Sequence, residues 1–143
     1  MSRCVIISAC PVSASLASAL RPGDTIIACD AGYRNCGPLG CRPDIIVGDF
    51  DTAPCPAQEG DDTIILPHVK DDTDTEYAAK LASEKGFDEA LLLGALGGRR
   101  LEHTLANLCT GLGLEQRGVR ATLLDERSRI TFVMPGETRR YPR

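Results

Sequence analysis

The sequence predicts an α/β fold, a three-layer and mainly parallel sheet of about six strands with helices on both faces. Three observations predict it. Short apolar, β-branched runs alternate with longer stretches that fit helices, the pattern that builds β-α units. Two of those runs lead directly into clusters of aspartate, the placement expected where strand ends open onto a ligand crevice. The chain has 143 residues, 43% hydrophobic and 25% charged, which is ordinary globular usage for one domain with a sizeable core.

Residues 4–9 read as a first strand and 12–20 as a short helix. Arg21-Pro22-Gly23-Asp24 is turn chemistry and leads into a second strand over 25–29. Asp30-Ala31-Gly32-Tyr33 then leaves the sheet as a loop. Residues 44–47 form a third strand that runs into Gly48-Asp49-Phe50-Asp51-Thr52. A fourth strand over 63–66 is ended by Pro67, which cannot continue a ladder as a donor.

Lys70-Asp71-Asp72-Thr73-Asp74 opens a helix over 73–85. Asp72 or Thr73 caps it, Glu76 stands at capping-box spacing from Thr73, and Gly86 is placed to stop it. A fifth strand over 90–93 enters Gly94-Ala95-Leu96-Gly97-Gly98-Arg99, and an amphipathic helix follows over 102–116. Residues 121–124 make a sixth strand, with 130–133 as a short antiparallel partner across a turn at 125–128.

Composition narrows the function. A net charge of -4 and a pI near 5.1 argue against nucleic-acid binding, which needs a concentrated basic surface. No apolar run approaches the roughly 20 residues that span a bilayer, and no basic segment with an apolar core opens the chain, so a cytoplasmic protein without a membrane partner is expected. The seven cysteines (Cys4, Cys10, Cys29, Cys36, Cys41, Cys55 and Cys109) are odd in number and contain no Cys-x-x-Cys pair, so neither a disulfide framework nor a common zinc motif is indicated.

The aspartates carry the chemistry. Grouped carboxylates repel one another unless cations neutralise them. A surface turn or a helix cap explains either cluster alone, since Asp is favoured in both. Two clusters after successive strands point instead to one crevice, because right-handed crossovers bring post-strand loops together at the carboxyl edge of a parallel sheet. Asp30, Asp49, Asp51, Asp71, Asp74 and Arg99 all occupy such loops. Asp49 and Asp51 are two apart, so in extended backbone they project to the same side and suit one cation or two neighbouring ones.

The same Asp-x-Asp spacing occurs in haloacid-dehalogenase-type phosphatases, but here Thr52 falls one place early and the cluster follows a later strand. Gly94 to Arg99 lacks both a phosphate-loop ending and a dinucleotide fingerprint. Its weight lies in Arg99, whose planar fork suits phosphate. His103 is a second candidate donor to phosphate or substrate, with a solvent-facing polar residue at a helix start as the equal alternative. Together these features indicate Mg²⁺ and a polyphosphate, the requirements of a nucleotide-dependent transferase.

Taken in order, Asp30-Ala31-Gly32, the run from Pro43 to Thr52, Lys70-Asp71-Asp72-Thr73-Asp74-Thr75-Glu76 and Gly94-Ala95-Leu96-Gly97-Gly98-Arg99 resemble the thiamine pyrophosphokinase family. Glu102-His103-Thr104-Leu105-Ala106-Asn107 and the stretch from Leu124-Asp125 through Pro135-Gly136 continue the resemblance over essentially the whole chain. The resemblance implies a Rossmann-like catalytic domain over 1–136, with 137–143 the truncated start of a C-terminal region and the family's all-β domain absent. It implies transfer of the pyrophosphoryl group of ATP to the hydroxyl of thiamine, giving thiamine diphosphate and AMP, with Mg²⁺ dependence and a homodimer.

By matching position, Asp49, Asp51 and Asp74 would hold Mg²⁺, and Asp71 would orient metal water or the attacking hydroxyl, so that Asp51, Asp71 and Asp74 form the catalytic set. Lys70 and Arg99 would grip the ATP phosphates, Asp30 and the Gly32 backbone would line the nucleotide pocket, and Thr73 and His103 belong to the same binding group. Thr52 stands where the family has Ser, and Glu102-His103 comes one residue late after Gly-Gly-Arg, so either Arg99 or Arg100 holds phosphate. The alternatives are a Mg-ATP-binding module without catalysis and a Mg²⁺-dependent phosphohydrolase.

Overall fold

The computed structural model of the chain describes residues 2–48, 64–67 and 73–142. Strands β1 (Arg3–Ile7), β2 (Thr25–Cys29), β3 (Ile45–Gly48), β4 (Ile64–Pro67), β5 (Glu89–Leu93), β6 (Arg120–Leu124) and β7 (Arg129–Thr131) form one sheet in the order β4-β3-β2-β1-β5-β6-β7. β1 through β6 pair in parallel, and β7 pairs antiparallel with β6. The six expected parallel strands are therefore present, with the short antiparallel strand as a seventh.

The middle strands are apolar on both faces because both faces are covered. Cys4 and Ile6 of β1, with Ile27, Cys29, Ile45, Val47 and Leu92, pack under α2 (Asp74–Glu84) and α3 (Leu101–Gln116). Their alternates Val5, Ile7, Ile26, Ala28, Ile46, Leu91 and Leu93 pack on the opposite face against Leu16, Cys36 and Leu39. That second layer is thinner than the first. It consists of a 3₁₀ segment at Ala14–Ala19, another at Asp30–Asn35, and α1 (Cys36–Leu39).

The helix expected over 12–20 is thus a shorter 3₁₀ segment, opened by Ser13, whose hydroxyl accepts from the Ser15 N–H. Asp30 to Tyr33, expected to leave the sheet as a loop, instead open a run of helical turns that continues to Leu39. Gly32, Gly37 and Pro38 hide them, because none favours an isolated helix; tertiary contacts supply what propensity does not. A Cβ on Gly32 would overlap the carbonyl oxygen of Ile7, so this turn lies directly on the end of β1.

α2 begins where its cap signal places it. The Thr73 hydroxyl accepts from the Glu76 N–H at 3.1 Å, and Gly86 lies just beyond the last turn. Ala78, Ala79 and Ala82 form its buried face and let it lie close on the sheet. The Glu76 carboxylate accepts a 2.7 Å hydrogen bond from the Thr110 hydroxyl, tying α2 to α3. Among the described residues no helix is long and apolar enough to cross a membrane.

At the opposite, amino-terminal edge, Arg3 meets Asp24 at 2.6 Å, with side chains only 10% and 6% exposed. Burial by itself would raise the Asp24 carboxyl, but the Arg3 guanidinium and the Arg21 backbone N–H hold it below the ordinary carboxylate range. A lowered folded value means that this group stabilises the fold above its unfolded pKa of about 4 and that the contribution is lost as pH falls through the folded value. Asp24→Asn should destabilise the chain by about 3 kcal/mol at pH 7, since it leaves a buried guanidinium uncompensated. Denaturant melts of the two proteins should converge as pH drops towards 2; a constant gap would refute the linkage.

Candidate active site

The order of the sheet reverses at β1. The chain steps outward through β2, β3 and β4 and then returns to lay β5 on the other side of β1. The loops leaving β1 and β5 therefore head to different faces, and a crevice opens between them at the carboxyl edge. Backbone bonds fix those two exits together: the Ser8 N–H donates to the Leu93 carbonyl at 2.8 Å and the Cys10 N–H to the Gly94 carbonyl at 3.0 Å.

Gly94 has φ of 67°, and a Cβ there would overlap the Ser8 carbonyl oxygen and stand 2.9 Å from that of Cys10. Only glycine satisfies both conditions. Asn35 clamps the same loop from below, donating through Nδ2 to the Ser8 carbonyl at 2.8 Å and the Cys10 carbonyl at 2.9 Å.

A cleft of about 260 Å³ lies at this point. Ser8 and Cys10 from the β1 exit, Cys29 and Asp30 from the end of β2, and Gly94 from the β5 exit form one part of its wall. The first turn of α2 contributes Thr73, Asp74 and Thr75, while the start of α3 contributes His103, Ala106 and Asn107. The amino-terminal turns of α2 and α3 therefore line the cleft, and the positive ends of the two helix dipoles favour an anion there.

The polar groups at the base are held in place. The Ser8 and Thr75 hydroxyls share a buried 2.6 Å hydrogen bond, and Asn107 Nδ2 donates to the Ala95 carbonyl at 2.9 Å. Asp30 has φ of 46°, the one described non-glycine residue with positive φ, in a region where Asp is among the few tolerated residues. An observed outlier of this kind marks a constrained site. A Cβ placed on Gly48 would lie 3.4 Å from Asp30 Oδ1, so the Asp30 carboxylate stands beside the exit of β3, directly before Asp49 in the chain.

Cys29 lies beneath these carboxylates. Burial pushes its thiol well above the ordinary range, and the charges of Asp74 and Asp30 push it further in the same direction. It is therefore a neutral thiol at physiological pH, and the charged donors of the described cleft are carboxylate oxygens.

Of the residues singled out from sequence, Asp30, Thr73, Asp74 and His103 meet in this one cleft. Gly32 is not in its wall; it packs on β1. Arg99 sits exposed on the β5–α3 connection without lining the cleft, and among the described residues it has no ion-pair partner. Arg100, by contrast, is bound to Glu102 at 2.7 Å, which leaves Arg99 the freer guanidinium of the two. Asp49, Asp51, Lys70 and Asp71 lie outside the described residues, and among the described residues no three acidic, His or Cys side chains are close enough to hold a metal.

Sequence reasoning did not single out Ser8, Cys10 or Thr75, nor Asn107 as an individual site residue. Ser8 carried a signal, as the first polar residue after the apolar run of a central strand. Thr75 carried none, because its role arises from a partner 67 positions away.

A family model described as "Thiamin pyrophosphokinase, catalytic domain" matches residues 16–123. The fold is similar to a crystal structure of thiamin pyrophosphokinase from Geobacillus thermodenitrificans, with TM-score 0.72 and 28% identity over 86% of this chain and 59% of that one. A protein from Lactobacillus plantarum gives TM-score 0.72 and 26% identity over 95% of this chain and 66% of that one. Thiamine pyrophosphokinase from Bacillus subtilis gives TM-score 0.73 over 87% of this chain and 61% of its own, and at 23% identity this likeness speaks for the fold alone. The chain spans about six tenths of the length of the Geobacillus and Bacillus proteins. No curated protein matches it.

Proposed function

Because the chain belongs to the thiamin pyrophosphokinase catalytic-domain family, we propose that it transfers the pyrophosphoryl group of ATP to the hydroxyl of thiamine, giving thiamine diphosphate and AMP. The observation that supports this most is the meeting of Asp30, Asp74 and His103 with two helix amino termini in one cleft at the point where the strand order reverses. Carboxylates and anion-binding helix ends in the same small volume suit a polyphosphate carried with a divalent cation better than either a bare anion or a bare cation.

The donor set fits Mg²⁺. Asp74 brings a hard oxygen donor to the cleft wall, Asp30 adds a second carboxylate beside it, and the nearby thiol is held neutral. Asp49, Asp51 and Asp74 are the proposed ligands, and the ion when bound supplies neutralisation of the triphosphate charge. In the reaction, the thiamine hydroxyl oxygen forms a bond to the β-phosphorus while the bond from that phosphorus to the α–β bridging oxygen breaks; the hydroxyl proton passes to Asp71 or water, and AMP leaves. Asp71 orients the hydroxyl. Lys70 and Arg99 hold phosphate oxygens, and the dipoles of α2 and α3, whose amino-terminal turns line the cleft, add to the attraction for them. A homodimer and a cytoplasmic location belong to the same proposal, as does a catalytic domain over 1–136 with 137–143 beginning a further region.

Product analysis tests the reading. Incubation with ATP, Mg²⁺ and thiamine should yield thiamine diphosphate and AMP in equal amounts. Release of inorganic phosphate, with thiamine unchanged, would identify a phosphohydrolase instead. Arg99→Lys should weaken ATP binding by about tenfold, because an ammonium cannot reproduce a two-pronged guanidinium contact. Equal affinity in titration calorimetry would transfer the role to Arg100.

A further inference from the structure

Two thiols meet on the thinner face of the sheet, outside the cleft wall. Cys36 opens α1 and Cys41 follows its end, and the backbone between them closes as a tight helix stop. Gly40 takes φ of 67° and its N–H donates to the Gly37 carbonyl, while the Cys41 N–H donates to the Cys36 carbonyl at 3.0 Å. In a stop with these two bonds the first and last residues bring their side chains together. The amide bond between them also keeps their Cα atoms inside the roughly 4.4–6.8 Å that a disulfide spans.

The thiols themselves interact directly. Their exposure differs: Cys36 is 6% exposed against the sheet, whereas Cys41 is only partly buried. Burial pushes the Cys36 thiol up to about 12 and raises Cys41 as well, so both are protonated at rest and exchange is slow. The residue before Cys36 is Asn35, which clamps the Ser8 and Cys10 carbonyls, and the turn leading to it begins at Asp30.

We propose that Cys36 and Cys41 form a reversible dithiol–disulfide site, oxidised by small disulfides of the glutathione class, whose closure locks the helix stop behind Asn35. Cys41, the more exposed thiol, attacks as thiolate one sulfur of the oxidant, whose S–S bond breaks; the displaced thiolate takes up the proton that Cys41 released. Cys36 then attacks Cys41 Sγ as thiolate, the bond to the attached half of the oxidant breaks, and that half leaves with the Cys36 proton. Two electrons pass from the cysteine pair to the oxidant, which ends as two thiols. This is one local, cycling bond and not a structural framework.

Incubation of the reduced chain with reduced and oxidised glutathione at about pH 8, followed by differential alkylation and peptide mass spectrometry, tests the site. Cys36 and Cys41 should lose free thiol together and regain it together on reduction. Cys36→Ser should trap a glutathione adduct on Cys41, since no thiol remains to displace it; Cys41→Ser should leave the buried Cys36 unmodified over the same interval. In the bridged chain, hydrogen exchange at the Gly40 and Cys41 amides should slow by about tenfold. Retention of both thiols under strongly oxidising ratios would overturn the proposal. So would Cys41 bridged to Cys10, Cys55 or Cys109, or a lasting glutathione adduct on Cys41 of the unmodified chain beside a free Cys36. Unchanged exchange at Gly40 and Cys41 in the bridged chain would refute the locking of the turn.

Discussion

Asp74→Asn should lower turnover by about a hundredfold to a thousandfold while leaving the fold in place. Asp74 is the first residue of α2 and lines the cleft with Asp30, so its carboxylate is delivered to the site by the helix start itself. The isosteric amide keeps the shape and an acceptor oxygen but removes the charge that a divalent ion requires. Thr73 still caps the helix, and the loss of one acidic residue from the first turn costs only about 0.3–1 kcal/mol. The Mg²⁺ concentration for half-maximal rate should rise in the variant, whereas the thermal midpoint should move by only a few degrees. Near-normal kcat at ordinary Mg²⁺ would remove Asp74 from the metal site.

Gly94→Ala should destabilise the protein by about 2–4 kcal/mol and abolish nucleotide binding together with it, from the sum of overpacking and a left-handed backbone. The added methyl would meet two carbonyl oxygens of the β1 exit loop, those of Ser8 and Cys10, and both are already engaged by Asn35. The loop cannot yield without breaking the bonds that align β1 with β5. Gly113→Ala in α3 is the matched control: a Cβ there meets nothing within 4 Å, so the substitution should be neutral or stabilising by up to about 1 kcal/mol. Urea melts of the two variants should move in opposite directions. Equal midpoints would show that the close approach at Gly94 is not what holds the two exits together.

The two predictions rest on features of unequal visibility in the sequence. The parallel strands were legible because they are buried on both faces, so that Cys4 to Ile7 or Thr25 to Cys29 reads as one apolar run rather than an alternation. α2 was legible because Thr73, Glu76 and Gly86 are local signals that act over a few residues. Glu76 also shows where local reading stops. Its spacing from Thr73 is that of a capping box, yet its carboxylate holds Thr110 of α3, and nothing near Glu76 in sequence identifies that partner.

The turns over 30–39 were hidden for a similar reason. Their glycines and proline disfavour helix, and they are held by Asn35 and by contact with β1. Asp30 and Asp74, which line the cleft, were legible as candidates because strand-end and helix-start aspartates are local signals. Ser8 and Thr75 were not singled out, because a buried hydroxyl pair is a property of two segments meeting. Gly32 was legible as a motif residue, and the structure shows a packing requirement at that position.

The central claim is that acidic side chains from separate β-α connections gather a divalent cation at the carboxyl edge of the sheet, beside β1. Mn²⁺ titration of the isotopically labelled chain, read through paramagnetic loss of backbone amide signals, tests it directly. Signals of Cys29, Asp30, Asp74 and Thr75 should disappear first, and those of Gly23, Asp88 and Gly118 at the opposite edge should persist. Uniform broadening, or first losses at the Arg21–Asp24 turn or the β6–β7 turn, would contradict the claim.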